Sequence, residues 1–317
     1  MMIAVKIENV TKAFQNVTAV DRVNLEIERG KVVGLIGPDG AGKTTLLRLL
    51  AGLLNPTEGS IQIAGIDVSQ SHHEVKRRIG YMPQHFSLYG DLTVSENLKF
   101  FADMYQVRDE HYRKRKEELL HFSQLSFFQN RLAWNLSGGM QKKLALACNL
   151  FHTPEILLLD EPTTGVDPIS RKELWNILFQ LNSQGVTIVF TTPYMDEAQK
   201  CHKVGLIYEG RILSYQSPQV LIQEMEDDVI ELHTDQERAR RLLAYMPGLK
   251  NIYPFGEALH VVFDKRKKGI EEIQEVLNRH YVPFQSMKKI TPSFEDVFLA
   301  LVRGQREIQA KSSDECH

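Results

Sequence analysis

The residues with the clearest chemical potential form a glycine-rich segment that ends in a lysine and two threonines. It runs Gly37-Pro38-Asp39-Gly40-Ala41-Gly42-Lys43-Thr44-Thr45 and matches the P-loop pattern G-x-x-x-x-G-K-[ST]. Glycines let the backbone turn its N–H groups inward as a nest for anions, and a following helix presents its positive end to phosphate. Lys43 adds a charge for the outer phosphates, and the Thr44 hydroxyl can bind Mg²⁺. The segment therefore predicts a nucleotide phosphate site.

A second candidate group is a pair of carboxylates at the end of an apolar run. Residues 156–159 are continuously apolar, and Asp160 and Glu161 follow them. A strand buried on both faces would carry these carboxylates to the carboxyl edge of a parallel sheet, where α/β proteins bind ligands. Asp160 is then suited to hold Mg²⁺ through water, and Glu161 to polarise an attacking water. The alternative, a solvent-exposed acidic pair, is disfavoured because the same chain contains a P-loop.

Both groups require a mainly parallel sheet, and the sequence contains strands for one. Apolar, β-branched runs at 31–36, 156–159 and 186–191 predict strands buried on both faces. The P-loop would then lie between a strand over 31–36 and a helix over 45–54. Further patterns in the same part of the chain predict alternating strands at 3–7, 23–27 and 60–63, a hairpin over 204–215 and a charged helical stretch between 84 and 151.

A second group of elements follows residue 227. The patterns there predict strands at 229–233 and 259–264 and helices at 236–245 and 270–279.

Composition limits the kinds of protein that the chain can be. The 317 residues include 38 Lys plus Arg and 40 Asp plus Glu, a formal net charge of −2, which does not favour nucleic acid as a partner. An apolar run of about 18 residues, as a transmembrane helix needs, is not found, and the N-terminus does not read as a signal peptide. Three scattered cysteines favour reduced thiols. We therefore expect a cytoplasmic chain that depends on another subunit for any membrane span.

Four further motifs resemble those of one family, the nucleotide-binding subunits of ATP-binding-cassette (ABC) transporters. Leu136–Gln141, Leu-Ser-Gly-Gly-Met-Gln, is similar to the LSGGQ signature, and Gln84 in Tyr-Met-Pro-Gln matches the Q-loop. Asp167 ends a D-loop, Gly-Val-Asp, and Phe14 stands where an aromatic residue stacks on adenine. The resemblance covers residues 3 to about 216, with the motifs in the family's order.

The resemblance implies a fold and a domain plan. It implies an α/β P-loop NTPase core with an antiparallel β subdomain and an inserted helical subdomain, over residues 1–226 with the helical part at about 85–151. The remaining patterns predict a small C-terminal α+β accessory domain over 227–303 and a flexible polar tail over 304–317.

The resemblance also implies a mechanism. Two cassettes would meet head to tail around two ATP molecules, each held by one chain's P-loop and by Ser137, Gly138 and Gly139 of the other chain. The signature would open a helix over 140–151. Thr44, Gln84 and Asp160 would hold Mg²⁺, Glu161 would be the catalytic base, and Lys43, Gln84 and Asp167 would complete the nucleotide site.

Two residues depart from the family pattern. Met140 replaces the signature's glutamine, a position peripheral to the phosphate grip. Pro193 stands where the family usually has the switch histidine, and proline can neither donate a hydrogen bond to phosphate nor relay a proton. The cassette would then turn over slowly, rely on Glu161 and Gln84, or pair with a different cassette. The intact Glu161 favours active hydrolysis.

Two further sequence segments indicate the subclass of ABC protein. Thr163–Pro168 resembles ABC-2-type exporter cassettes, and residues 292–298 resemble the accessory domain of multidrug and antibiotic export ATPases. This implies an ATPase that powers efflux of drug-like or amphiphilic compounds through a separate ABC-2 permease, bound at the cytoplasmic face of the cell membrane. The alternatives are a soluble ABC ATPase acting on ribosomes or nucleic acid, and a weakly hydrolysing, ATP-sensing partner cassette.

Overall fold

A computed structural model describes residues 2–85, 88–267 and 269–314. The chain divides into two compact units, Met1–Gln216 and Ser217–His317. In the described part of the chain, no helix is both long enough and apolar enough to cross a membrane.

The first unit contains ten strands and six α-helices among its described residues. In chain order, the strands are β1 (Ile3–Phe14), β2 (Val17–Glu28), β3 (Val32–Ile36), β4 (Glu58–Ile63), β5 (Ile66–Asp67), β6 (Ile79–Met82), β7 (Ile156–Asp160), β8 (Thr187–Thr192), β9 (Lys203–Tyr208) and β10 (Arg211–Gln216). The helices are α1 (Lys43–Leu50), α2 (His72–Arg78), α3 (Val94–Met104), α4 (Asp109–Phe122), α5 (Gly138–Cys148) and α6 (Pro168–Ser183), with short 3₁₀ turns at Ser126–Phe128, Ala133–Asn135 and Met195–Lys200.

A six-stranded sheet forms the centre of this unit, in the order β10-β9-β3-β8-β7-β6. All neighbouring strands are parallel except β9 and β10, which form the predicted antiparallel hairpin. Every residue of β3, β7 and β8 is buried, because successive side chains enter two different cores. Leu157 and Leu159 belong to the core shared with α3, α5 and α6, whereas Leu158 packs in the core shared with α1 and the antiparallel strands.

The antiparallel sheet, in the order β2-β1-β4-β5, covers one face of this centre. Its strands alternate buried and exposed residues, as expected for a sheet with one solvated face. The opposite face carries α3, α4 and α5, inserted between β6 and β7. Thr93 and Glu96 form a capping box that starts α3 and directs the chain into this helical insertion.

The second unit is a four-stranded antiparallel sheet with helices. It contains α7 (Pro218–Gln223), β11 (Asp228–Thr234), α8 (Gln236–Leu243), β12 (Leu249–Phe255), β13 (Ala258–Phe263), α9 (Gly269–Arg279), β14 (Phe284–Ile290) and α10 (Phe294–Asp314), with strand order β12-β13-β11-β14. The α8 and α9 helices bury Leu243 and Leu277 against the sheet. The sequence patterns indicated β11, α8, β13 and α9, but not the edge strands β12 and β14, whose residues are partly buried or exposed.

Several predicted boundaries differ from the structure. The helix expected over 45–54 begins at Lys43 and ends at Leu50, because Gly42 and Gly52 adopt left-handed conformations on either side of it. The helix expected over 140–151 is Gly138–Cys148.

The second unit differs from its predicted limits at both ends. It begins at Ser217 rather than at 227, because α7 packs against α10 within it. The tail predicted from 304 is helical as far as Asp314, since its Gln, Arg, Glu, Ala and Lys residues are good helix formers. Residues 315–317 of that tail lie outside the described residues.

Candidate functional site

The P-loop connects β3 to α1 and is held tightly against its neighbours. A Cβ on Gly37 would lie 2.1 Å from the Ile207 carbonyl oxygen, so only glycine fits there. Gly40 and Gly42 have φ of 78° and 99°, the left-handed region that glycine adopts at no steric cost. The Ala41 N–H donates to Pro38 O at 3.2 Å. The segment from Gly37 to Thr45 thus has the compact, glycine-dependent turn expected of a phosphate cradle.

Lys43 is the first residue of α1 and is only 4% exposed. Its Nζ donates to Gly37 O and Pro38 O at 2.8 Å each, and lies 3.8 Å from the exposed Asp39 carboxylate. Burial lowers the pKa of Lys43, while the carboxylates of Glu161, Asp39 and Asp160 act in the opposite direction. The ammonium group is therefore held over the loop by two carbonyl oxygens. An incoming phosphate would take their place as its partner, and its full negative charge would make the hydrogen bonds stronger.

The second helical residue, Thr44, connects the P-loop with the end of β7. Its hydroxyl donates to Oδ1 of Asp160 at 3.0 Å. Asp160 is fully buried, and its Oδ2 has no hydrogen-bond partner in the described part of the chain. A buried carboxylate oxygen without a partner beside a threonine hydroxyl suits Mg²⁺, a hard cation that prefers oxygen ligands. These residues fit the predicted metal. Thr45, the next residue on α1, is half-buried.

Glu161 follows β7 in an uncommon backbone conformation. Its φ is 48°, which is unfavourable for a residue with a side chain, and the residue is 5% exposed. Oε2 of the carboxylate accepts from the Gln84 amide nitrogen at 2.9 Å and from the Thr164 hydroxyl at 3.1 Å. The structure therefore brings Gln84 to Glu161, as a water-orienting pair would require.

The signature segment lies at the start of α5. Ser137 caps this helix, and its Oγ accepts from the Met140 N–H at 3.3 Å. Ser137 and Gly138 are exposed, so the positive end of the helix is open to solvent. Gly139 is buried against α6, and a Cβ there would lie 2.4 Å from the Cβ of Ser170. Met140 packs against the helical core.

Asp167 and Phe14 complete the predicted nucleotide residues. Asp167 caps α6, and its Oδ1 accepts from the Ser170 N–H at 3.0 Å and the Ile169 N–H at 3.1 Å. The hydrogen bond from Ser170 is the main reason why the pKa of Asp167 is lowered. Phe14 ends β1 and is 43% exposed, with the Lys12 ammonium 5.1 Å from its ring centre. A half-exposed ring is available for stacking.

Pro193 follows β8 directly and lacks an N–H group. The neighbouring Tyr194 N–H donates to the Thr192 hydroxyl at 3.1 Å, and the Tyr194 ring lies over the Arg171 guanidinium at 4.8 Å. The loop is therefore organised by local contacts of Thr192, Tyr194 and Arg171.

Three residues beside the site were missed in the sequence patterns. Thr191 donates to Asp160 and accepts from the Glu161 N–H, and Thr164 donates to Glu161. Lys142, on α5, donates to Gln84 O at 2.9 Å, and burial lowers its pKa. The sequence patterns gave none of the three a role, because these contacts form only when distant segments fold onto one sheet edge.

The family pattern described as "ABC transporter" matches residues 20–164. A probable multidrug ABC transporter ATP-binding protein, YbhF of Escherichia coli, is 40% identical over 289 residues, 90% of this chain but only 49% of that protein. The chain thus spans about half the length of this relative. The Nod factor export ATP-binding protein I of Ralstonia nicotianae is 35% identical over 93% of this chain and 92% of its own length. The daunorubicin/doxorubicin resistance ATP-binding protein DrrA of Streptomyces peucetius is 34% identical over 94% and 92%.

Solved structures of ATP-binding cassettes resemble two thirds or more of this chain. The ATP-binding cassette MJ0796, determined as a dimer bound to ADP and Pi, has a TM-score of 0.61 and 31% identity over 67% of this chain and 98% of its own. CbiO1 of Clostridium perfringens, part of an ABC transporter complex, has a TM-score of 0.65 and 25% identity over 78% and 97%. The predicted P-loop fold class is confirmed by these likenesses. On the extent and coverage of these matches, the chain belongs to the ABC transporter family, among its ATP-binding proteins.

Proposed function

We propose that this chain binds ATP with Mg²⁺ and hydrolyses it to power export through a separate membrane permease. The observation that carries the proposal is the pairing of two contacts at one sheet edge. Thr44 lies 3.0 Å from Asp160, and Gln84 lies 2.9 Å from Glu161, beside the P-loop. A metal-binding pair and a base with its orienting amide are the groups that phosphoryl transfer to water requires.

Each residue has a role that follows from its contacts. The loop N–H groups and Lys43 would hold the phosphates, and Thr44, Asp160 and Gln84 would hold Mg²⁺. The metal, when bound, neutralises charge that develops on the phosphate oxygens. Glu161 would orient the attacking water and accept its proton, with Gln84 and Thr164 fixing the carboxylate. Pro193 cannot donate a hydrogen bond to phosphate, so these groups must suffice.

The exposed start of α5 supports a head-to-tail dimer. Ser137 and Gly138 are exposed at the positive end of α5, where a phosphate from outside the chain could bind. They would contact, with Gly139, the γ-phosphate held by the other cassette. Phe14 would stack on adenine, and Asp167 would face the same interface.

The proposed export role rests on the relatives' names, and the proposed ABC-2-type permease rests on the resemblance of Thr163–Pro168 and residues 292–298. A groove beside the Q-loop supports the docking of such a partner. The groove, about 520 Å³, is lined by Pro83, next to Gln84, and by the half-exposed apolar residues Leu53 and Met104. A cytoplasmic segment of a permease, docked there, would sense the position of Gln84. We propose peripheral binding at the cytoplasmic face of the membrane and efflux of drug-like or amphiphilic compounds.

The test is steady-state Mg²⁺-ATPase activity as a function of protein concentration, with Glu161→Gln as the control. A rate per molecule that rises with concentration and is lost in the variant supports a self-dimerising ATPase. A wild-type rate no higher than that of the variant, even with the permease present in liposomes, would refute the proposed hydrolysis. That result would favour the ATP-sensing partner cassette, the function that Pro193 supports.

A further inference from the structure

We infer that Thr191 is a positioning residue for this site, joining the metal-binding carboxylate of Asp160 to the backbone of Glu161. The inference rests on the proposed function. Thr191 lies in β8, next to β7 in the parallel sheet, and is completely buried. It is therefore held by a strand on each side and has little freedom to move.

The hydroxyl of Thr191 makes two hydrogen bonds of opposite sense. It donates to Asp160 Oδ1 at 2.7 Å and accepts from the Glu161 N–H at 3.0 Å. The directions follow from the groups, since an ionised carboxylate can only accept and an amide N–H can only donate. The single hydroxyl proton is thus committed to Asp160. One side chain therefore connects the two acidic residues that the proposed mechanism uses.

The first consequence concerns the orientation of the Asp160 carboxylate. Oδ1 accepts from Thr191 and from Thr44, and Oδ2 is buried without a partner in the described residues. Two donors on one oxygen stop rotation about the side-chain bond and leave the other oxygen free. Thr191 thereby keeps Oδ2 available for the metal shell. Loss of this donor would leave Thr44 as the side-chain donor to the carboxylate among the described residues.

The second consequence concerns the backbone of Glu161. Its φ of 48° has an energetic cost, and such conformations persist only where surrounding contacts determine them. The Glu161 N–H is held by the Thr191 hydroxyl and, at 3.2 Å, by the Thr191 carbonyl. The same turn directs the Glu161 carboxylate toward Gln84. Thr191 therefore supports the residue proposed to orient water.

The support that Thr191 gives matters more in this chain because Pro193 cannot donate a hydrogen bond. The position after Thr192 has no N–H or imidazole to offer, and the Thr192 hydroxyl already accepts from Tyr194. Among the described residues at the end of β8, the Thr191 hydroxyl hydrogen-bonds to the Asp160 carboxylate and to the Glu161 N–H.

The experiment compares Thr191→Val, Thr191→Ser and Thr187→Val. Valine keeps the β-branched shape and removes the hydroxyl, whereas serine keeps the hydroxyl. Thr187, at the start of the same strand, is the matched control, because its buried hydroxyl also accepts a backbone hydrogen bond, from Gly30 at 3.0 Å. Two experiments are done. Steady-state kinetics give kcat and KM for ATP, and binding of a fluorescent ATP analogue is measured in EDTA and across a Mg²⁺ titration.

We expect Thr191→Val to lower kcat by about tenfold to a hundredfold, as for a lost hydrogen bond to a charged group. Its analogue affinity in EDTA should stay within about twofold of wild type, while the Mg²⁺ concentration at half effect rises by about fivefold or more. Thr191→Ser should restore kcat and the Mg²⁺ concentration at half effect, and Thr187→Val should resemble wild type in both.

Equal behaviour of Thr191→Val and Thr187→Val in the Mg²⁺ titration would overturn the inference. Failure of serine to rescue would also overturn it, because the defect would then be one of packing. The titration does not require turnover. A wild-type protein without ATPase activity would refute the proposed hydrolysis, while the Mg²⁺ response of the variants would still decide the role of Thr191.

Discussion

The side-chain nitrogen of Gln84 lies 2.9 Å from Oε2 of Glu161, although 77 residues separate them in the chain. Gln84 follows β6 and Glu161 follows β7, two neighbouring parallel strands, so both residues emerge at the same sheet edge. The bond connects the entry of the helical insertion to the proposed catalytic base. A partner that displaced the Q-loop would therefore break or shift this hydrogen bond to the carboxylate.

We predict that Glu161→Gln binds ATP but loses hydrolysis. The glutamine oxygen can still accept from Gln84 and Thr164, so the loop should keep its geometry while the proton acceptor is lost. A fall in kcat of about a hundredfold or more is expected, as for removal of a general base. ATP should then trap the dimer, which light scattering after size-exclusion chromatography would detect.

The control for this trap is the double variant Lys43→Met/Glu161→Gln, which should stay monomeric with ATP. A Glu161→Gln protein that remains monomeric at saturating ATP would contradict the head-to-tail dimer.

A second prediction concerns Lys43→Met. Methionine fills a similar volume and removes the desolvation cost of a buried ammonium, but it also removes the hydrogen bonds to the Gly37 and Pro38 carbonyls. These effects oppose each other, so the free energy of unfolding should change by less than about 2 kcal/mol. ATP affinity should fall by about a hundredfold or more, because the charge-assisted contacts to phosphate are lost. Binding of a fluorescent ATP analogue and thermal unfolding, measured on the same samples, separate the two effects. A large fall in Tm would mean that Lys43 is needed for folding.

A third prediction concerns the contact between α5 and α6. Gly139→Ala would place a Cβ 2.4 Å from the Cβ of Ser170, so the helices must separate. We expect a loss of about 1–3 kcal/mol of unfolding free energy, as for an overpacked core. Ser170→Gly should recover part of this loss in the double variant. The control is Gly304→Ala, a helical glycine with open space around it, which should not destabilise. Equal Tm values for Gly139→Ala and wild type would refute the contact.

A fourth prediction concerns pH and His152. Its ring stacks on Tyr105 at 4.0 Å, Nε2 lies 2.8 Å from Ile79 O, and burial lowers its pKa below the usual 6.5. Because the folded state disfavours the charged ring, its contribution is fully present above pH 6.5 and is lost as the pH falls toward the folded pKa. Between pH 7.5 and 5.5, Tm should fall more for wild type than for His152→Gln. Parallel curves for the two proteins would contradict this assignment.

Local features of the chain were enough to predict much of the site. The segment Gly37–Thr45 carries its chemistry within nine consecutive residues, and the apolar run before Asp160 marks a doubly buried strand without reference to any other part of the chain. Boundaries were less predictable. The α1 and α5 helices each begin two residues before their predicted starts at 45 and 140, because Gly42 and Ser137 are the N-cap residues. The edge strands β12 and β14 were missed, because their residues are partly buried or exposed and do not alternate regularly between apolar and polar.

The sequence by itself determined the residue types at the phosphate site, the presence of a P-loop core and the family. Only the tertiary structure decided which atoms meet. The order β3-β8-β7 brings Thr191 to Asp160 and Glu161, and the parallel register of β6 and β7 brings Gln84 to Glu161. Strand order and register depend on packing between segments far apart in the chain. For that reason the buried Oδ2 of Asp160, without a hydrogen-bond partner among the described residues, and the proposed role of Thr191 become apparent only once the sheet has formed.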